Sequence, residues 1–195
     1  MRCGSRRAST LGKSVVDIYY IYMYERQRWT GVSEEGFRLL AEGRVQEFNS
    51  WRMKNLTVKL DFSSKDLSGR NISGAYLNGV VADKANFSRA NLSGANLVQA
   101  SLNGANFEGA NLTETLLMYT EMKEARLVNA NMAKTNLMWA NLQNADMTGS
   151  RMSQTVFVEA NLQNAKVTGA DKAGAYLKYA KLEGTAWFEQ AAEKH

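Results

Sequence analysis

The residues that could carry out chemistry are few and lie far apart. The chain of 195 residues has one cysteine, Cys3, and one histidine, His195. One cysteine can form neither an internal disulfide nor a cysteine-based zinc site, and a histidine at the last position offers no base for a catalytic triad. The acidic residues show no metal-ligand spacing, and the sequence has no phosphate-binding glycine loop. We therefore expect no catalytic residue, no metal site and no cofactor, and the chain is not expected to be an enzyme.

Positive charge is concentrated in the first third of the chain. The formal net charge is +5, and residues 1–59 hold 11 basic against 6 acidic residues, whereas residues 60–195 hold 13 of each. No apolar run reaches the ~20 residues that a membrane-spanning helix needs. The scattered basic residues are typical of solvated surface, so we expect no membrane span and no nucleic-acid partner. A lone cysteine suits a reducing compartment, which favours a cytoplasmic location.

Most of the chain is a repeat of five residues, which must position any functional side chains. Large apolar residues stand at every fifth position from Phe62 to Trp187, which gives 26 repeat centres, 25 of them apolar. A small residue lies two positions before the centre in 22 of the 26 repeats, and 16 of these residues are alanine. The predicted core centres include Leu92, Leu97, Phe107, Leu112, Leu137, Leu142, Phe157 and Leu162.

A period of five fits neither a half-buried strand, with period two, nor an amphipathic helix, with period 3.6. It suits a chain that turns a corner every five residues, so that four sides close one square coil of 20 residues. Two positions depart from the pattern. Lys172 would place an ammonium group inside the tube, so we expect the coil to bulge or loosen near residues 170–175. Ala82 is expected to leave its centre underfilled.

The segment GANLVQASLNGANFEGANL (94–112) is close to the A(N/D)LxX motif of the pentapeptide-repeat family, and the resemblance covers residues 60–189. The resemblance implies an all-β solenoid, a right-handed quadrilateral β-helix, and the 26 repeats would make about 6.5 coils of it. Several members of that family dimerise through their C-terminal ends. Other members, the quinolone-resistance proteins, imitate DNA toward type II topoisomerases. Such mimicry needs dense negative charge, and the zero net charge of residues 60–195 disfavours it.

The residues before the repeat divide into two segments. Residues 33–59 are predicted to form a helical N-terminal cap, with one helix over 33–54 that begins at Ser33 as N-cap. Its physical role would be to cover the unpaired edge of the first coil. The residues that follow helical spacing in this segment are Phe37, Leu40, Ala41, Arg44, Val45, Phe48 and Trp51.

Residues 1–32 form a basic and aromatic leader that contains VVDIYYIYMY (15–24). Four interpretations stay open for it: a targeting sequence, an extra strand or helix, a mobile tail, or a partly non-native segment if translation starts at Met23. At the other end, residues 190–195 form a short tail. Trp187 and Phe188 either cap the last coil or join two rods end to end as a homodimer.

One side of the square coil is predicted to carry an apolar stripe on its outer surface. Residues 20 apart stack on one side, and one of the four sides is unusual. Monomeric proteins seldom expose such a stripe without a function. Three alternatives stay open for the stripe: the leader covers it, an unidentified protein partner binds it, or it is exposed by chance. We therefore expect a non-catalytic protein-interaction or scaffold protein of bacterial origin. The apolar stripe consists of Val98, Leu116, Met118, Tyr119, Met138, Trp139, Val156 and Val158.

Overall fold

The computed structural model describes residues 33–188. The predictions about the leader (1–32), Cys3 and the tail (190–195) lie outside the described residues. Two helices come first, and the five-residue repeat follows them.

The helical segment is divided into two helices, so the prediction of one helix over 33–54 is wrong. Helix α1 runs over 33–41 from the first described residue, and α2 spans Val45–Lys54. Gly43 ends α1 with φ +74°, a left-handed conformation that glycine adopts without strain. Its N–H donates to the Leu40 carbonyl and that of Arg44 donates to the Leu39 carbonyl, which is the Schellman arrangement of a helix C-terminus.

The two helices pack on the first coil of the repeat. Leu40 and Phe48 are fully buried, and the Phe37 ring meets the Phe62 ring edge-on at 5.7 Å. Trp51 lies so close to α1 that a Cβ at Gly36 would stand 2.9 Å from its ring, so only glycine fits there. The helices therefore continue the apolar interior of the repeat.

Side chains of both helices also bond to backbone groups of the first coil. The Ser33 hydroxyl, predicted as a helix N-cap, instead accepts from the Asp61 N–H and donates to its carbonyl, at 3.0 and 3.2 Å. Asn49 accepts from the Tyr76 N–H and donates to the Gly74 carbonyl, both at 2.9 Å. Buried Arg52 donates to the Asn78 carbonyl at 3.2 Å.

The repeat pairs every fifth residue with the residue 20 positions later. Parallel bridges run from Asp61↔Val81 to Asn161↔Lys181 without a change of register. Each paired strand is a single residue, which stands just before a repeat centre. From Phe62 to Leu162, the N–H of each centre donates to a carbonyl of the following coil, as from Leu92 to Asn111 at 2.8 Å. The backbone is therefore a β solenoid that advances one coil every 20 residues.

The interior is filled by the repeat centres and the small residues before them. All eight predicted core centres have no exposed surface, and the rings of Phe87 and Phe107 stack in parallel at 5.0 Å. At Ala82 the two inward positions of the repeat have exchanged sizes, because the larger Val80 stands at the preceding small position and both residues are buried.

The expected bulge at Lys172 is absent from the described coils. Bridges continue through it from Arg151↔Asp171 to Val156↔Tyr176. Lys172 lies in the last coil, where it is half-buried, and its Nζ stands 5.1 Å from the centre of the Trp187 ring. The ammonium is tolerated because the last coil has no following coil and an aromatic face is available to the cation.

The asparagines of one side form a ladder. Asn91 donates to the Asn71 Oδ1 at 3.1 Å, and Asn111 donates to the Asn91 Oδ1 at 3.0 Å. The Oδ1 of Asn111 also accepts from the N–H of Thr113 two residues later. Stacked amides thus satisfy one another and their own turns, and these asparagines have a structural role.

Candidate functional site

The apolar stripe lies on one outer side of the solenoid. Leu116, Tyr119 and Trp139 are exposed by 37%, 51% and 40%. The other stripe residues are half-buried, because each lies between its neighbours in the preceding and following coils; they are Val98, Met118, Met138, Val156 and Val158.

Three exposed tyrosines extend this surface beyond the predicted stripe. Tyr76 and Tyr176 stand in line with Leu116, and Tyr179 stands in line with Trp139. The signal that could have found them is the 20-residue step itself, since all three fall on it. We call the stripe together with Tyr76, Tyr176 and Tyr179 the apolar wall. Of the nine large hydrophobic residues that are exposed among the described residues, six belong to the wall.

Tyr119 and Trp139 occupy equivalent corners of successive coils. Both have φ near +58°, a left-handed conformation that is rare for bulky side chains. Glycine, asparagine, glutamine or charged residues take most such corners elsewhere in the repeat. The two rings stack with centres 4.7 Å apart and planes inclined by 11°. The fold therefore holds a rigid aromatic ladder along one edge of the wall.

Charge on the wall is confined to its C-terminal end. Glu159 and Lys178 are the charged residues that point outward there among the described residues, and Lys178 Nζ stands 4.9 Å from the Tyr179 ring centre. The adjoining corner carries the exposed pair Glu114–Lys134, whose charges meet at 3.2 Å. The central part of the wall thus carries no charge, and charged residues lie at its margins.

Within the solenoid, the carboxylates with lowered pKa values lie on sides other than the wall. The hydroxyl and N–H of Ser63 lower the pKa of Asp61, and those of Thr148 lower the pKa of Asp146, against the effect of partial burial. These hydrogen bonds belong to the turns of the repeat. No group of three or more metal-binding side chains occurs within residues 33–188.

Trp187 and Phe188, the predicted C-terminal contact pair, differ in exposure. Trp187 is only 5% exposed and meets the Phe157 ring edge-on at 6.4 Å, so it packs inside its own chain. It belongs to a helical turn at 186–188, so the paired coils end before residue 189. Phe188 is exposed and is the member of the pair that a second chain could contact.

A comparison with protein families matches the profile "Pentapeptide repeats" in eight copies, over residues 61–97, 95–132, 135–171 and 156–186. These segments include more than half of the chain. A comparison with curated proteins finds no match. No helix within the described part of the chain has the length and apolarity needed to cross a membrane.

Solved structures of similar proteins include two cyanobacterial proteins and one plasmid-mediated resistance protein. HetL, involved in heterocyst differentiation regulation in the cyanobacterium Nostoc sp. strain PCC 7120, is 29% identical over 65% of this chain and 72% of its own, with a TM-score of 0.34. QnrB1, a plasmid-mediated fluoroquinolone resistance protein, is 19% identical over 69% and 81%, with a TM-score of 0.34. Rfr23 from the cyanobacterium Cyanothece 51142 is 27% identical over 73% and 99%, with a TM-score of 0.21.

Proposed function

The chain belongs to the pentapeptide-repeat family, and from that premise we propose that it is a non-catalytic protein-interaction module whose binding surface is the apolar wall. The observation that carries the proposal is the concentration of exposed large hydrophobic residues on one side of four, six out of nine. Chance placement would spread such residues over all sides. Apolar patches rimmed by polar residues mark interaction sites.

The size of the wall indicates what it binds. Tyr76 and Tyr179 stand five coils apart, which is about 24 Å at the ~4.8 Å spacing of paired strands. A side about three residues wide measures roughly 10 Å at ~3.3 Å per residue. The resulting ~240 Å² is about a third of the ~800 Å² that each partner buries in a typical stable interface. The wall therefore fits a short apolar segment rather than a whole protein surface.

The finer architecture and setting are part of the same proposal. We take the solenoid to be right-handed with about 6.5 coils, and the two helices to cap its first edge through Ser33, Asn49 and Arg52. We also propose a cytoplasmic location in a bacterium. The homodimer would form through the last coil, with Phe188 at the contact. Mimicry of DNA is disfavoured because residues 60–195 carry no net charge. Three acids of the solenoid are also paired with bases, as Glu108 is with Arg126 at 3.0 Å.

Selection from a phage-displayed library of random peptides on the immobilised full chain tests the proposal. Enriched peptides should be apolar and aromatic, and they should bind the double variant Tyr119→Asn/Trp139→Asn at least tenfold more weakly. Asparagine is chosen because it tolerates the left-handed corner. The matched control is Lys84→Asn/Glu124→Asn, which changes two left-handed corners that do not border the wall. Equal binding to both variants, or a failure to enrich any peptide, would refute the wall as a binding surface.

A further inference from the structure

We propose that the chain's own segment 15–24 is an occupant of the apolar wall, so that the leader competes with any partner for this surface. This inference rests on the wall identified under the proposed function and names how that surface is regulated. The occupant follows from three observations: the small area of the wall, the point where the described chain begins, and the charge at the end of the wall.

The small area favours an occupant on the same chain. An apolar strip of ~240 Å² is too small for two copies of this protein to form a stable dimer through it. A tethered segment binds at an effective concentration in the millimolar range for short linkers, so a modest contact suffices to keep it bound. The wall therefore suits a linked segment better than a free one of the same composition.

The described chain begins beside the wall. Ser33 bonds to both backbone groups of Asp61, at the N-terminal edge of the solenoid. Asp61 lies on the side that follows the wall around the coil, one corner away. The eight residues 25–32 can span at most ~28 Å, which exceeds the ~24 Å length of the wall. Every position of the wall is thus within reach of segment 15–24.

The composition of segment 15–24 matches the wall. Nine of its ten residues are apolar or aromatic, and its one charge is Asp17. Tyr24 lies seven positions after Asp17, a contour of ~24 Å at ~3.4 Å per residue. If Tyr24 lies level with Tyr76, Asp17 comes level with Lys178, the basic residue at the far end of the wall. Apolar residues then meet the neutral strip, and the one acid meets a base.

Photo-crosslinking in the full chain tests this assignment. A benzophenone amino acid replaces Trp139, and in the matched control it replaces Asn129, an exposed left-handed corner on the opposite side. Irradiation followed by peptide mass spectrometry should show intrachain links from position 139 to residues 15–24, in a yield independent of protein concentration. Links only between two chains, links only to other segments, no links, or equal capture from position 129 would each overturn the proposal.

A second measurement separates this proposal from the proposed function. The variant Ile18→Asp/Ile21→Asp should release the wall, so that selected peptides bind the full chain roughly tenfold more tightly if the segment occupies ~90% of wild-type molecules. Crosslinks to 15–24 without any peptide binding would support the leader contact and refute the partner site. If peptides bind Ile18→Asp/Ile21→Asp at wild-type affinity and position 139 gives no links to 15–24, the partner site is supported and the leader contact is refuted.

Discussion

The Thr135 hydroxyl donates to the carbonyl oxygen of Leu112, one coil earlier, at 2.6 Å, and the threonine is fully buried. The same bond joins Thr115 to Leu92 and Thr155 to Met132. All three threonines take the small inward position on the side that carries the apolar wall. Elsewhere alanine is usual at this position, so the three threonine bonds tie four successive coils together behind the wall.

Thr135→Val should destabilise the protein by ~1 kcal/mol. Valine keeps the shape of threonine, so the loss reports the hydroxyl bond, which is worth about this much when its carbonyl acceptor keeps another donor. The Leu112 carbonyl retains the N–H of Thr115. Urea unfolding followed by circular dichroism measures the change. The exposed Thr168→Val serves as control, and equal stability of both variants would contradict a role for the internal bond.

Tyr119→Asn/Trp139→Asn should change the free energy of unfolding by no more than about 1 kcal/mol. Loss of the ring stack costs ~0.5–1.5 kcal/mol, and asparagine relieves the left-handed corners that the bulky residues occupy. Thermal unfolding of the variant beside wild type measures the balance. A loss of several kcal/mol would mean that the two rings serve the fold, and the wall could then not be tested by peptide binding alone.

The repeat could be predicted from the sequence because each five-residue unit has the same pattern. With 26 centres in one frame, a single departure such as Lys172 does not obscure the period. The break between the two helices at Gly43 could not be predicted from the sequence, because a glycine inside an apolar helical pattern is equally consistent with one weak helix. Tyr176 and Tyr179 were missed because Lys178 between them interrupts the apolar stripe. Trp187 follows the five-residue spacing, yet its helical turn depends on the end of the solenoid, which no local pattern encodes.

Acid should weaken the protein partly through Asp146. Its carboxylate accepts from the hydroxyl and N–H of Thr148, and these bonds lower its folded-state pKa below that of the unfolded chain. The resulting stabilisation is present above the unfolded pKa of ~3.9 and is lost as the pH falls through the folded pKa. In Asp146→Asn this acid dependence should disappear, because an amide oxygen accepts the N–H bond at any pH.

Thermal unfolding at neutral pH and below pH ~4 measures this difference, since the unfolded carboxyl titrates there. Asn86 and Asn106 occupy the same position in other coils, so the asparagine fits the turn. Wild type should lose more stability than Asp146→Asn on acidification. A parallel loss in both proteins would assign the acid sensitivity to other carboxylates, such as Asp61 and Asp66, whose pKa values are also lowered by turn hydrogen bonds.

Asn49→Leu should open the first edge of the solenoid. In later coils the N–H that corresponds to Tyr76 donates to a preceding coil, as Asn96 donates to Ala75 at 2.9 Å. The first coil has no predecessor, and the amide of Asn49 takes that place for Tyr76 and Gly74. Leucine removes both bonds, and unmade bonds at a partly buried edge cost ~1–3 kcal/mol.

Hydrogen exchange at the Tyr76 amide gives the site-specific readout of this prediction. Exchange of that amide should accelerate in Asn49→Leu more than at amides inside the solenoid, such as that of Asn96. The control Gln46→Leu places the same side chain at an exposed position of α2. An exposed edge also invites pairing with other chains, so light scattering should show more association for Asn49→Leu than for the control. Unchanged protection of the Tyr76 amide would show that the helices cover the edge by packing alone.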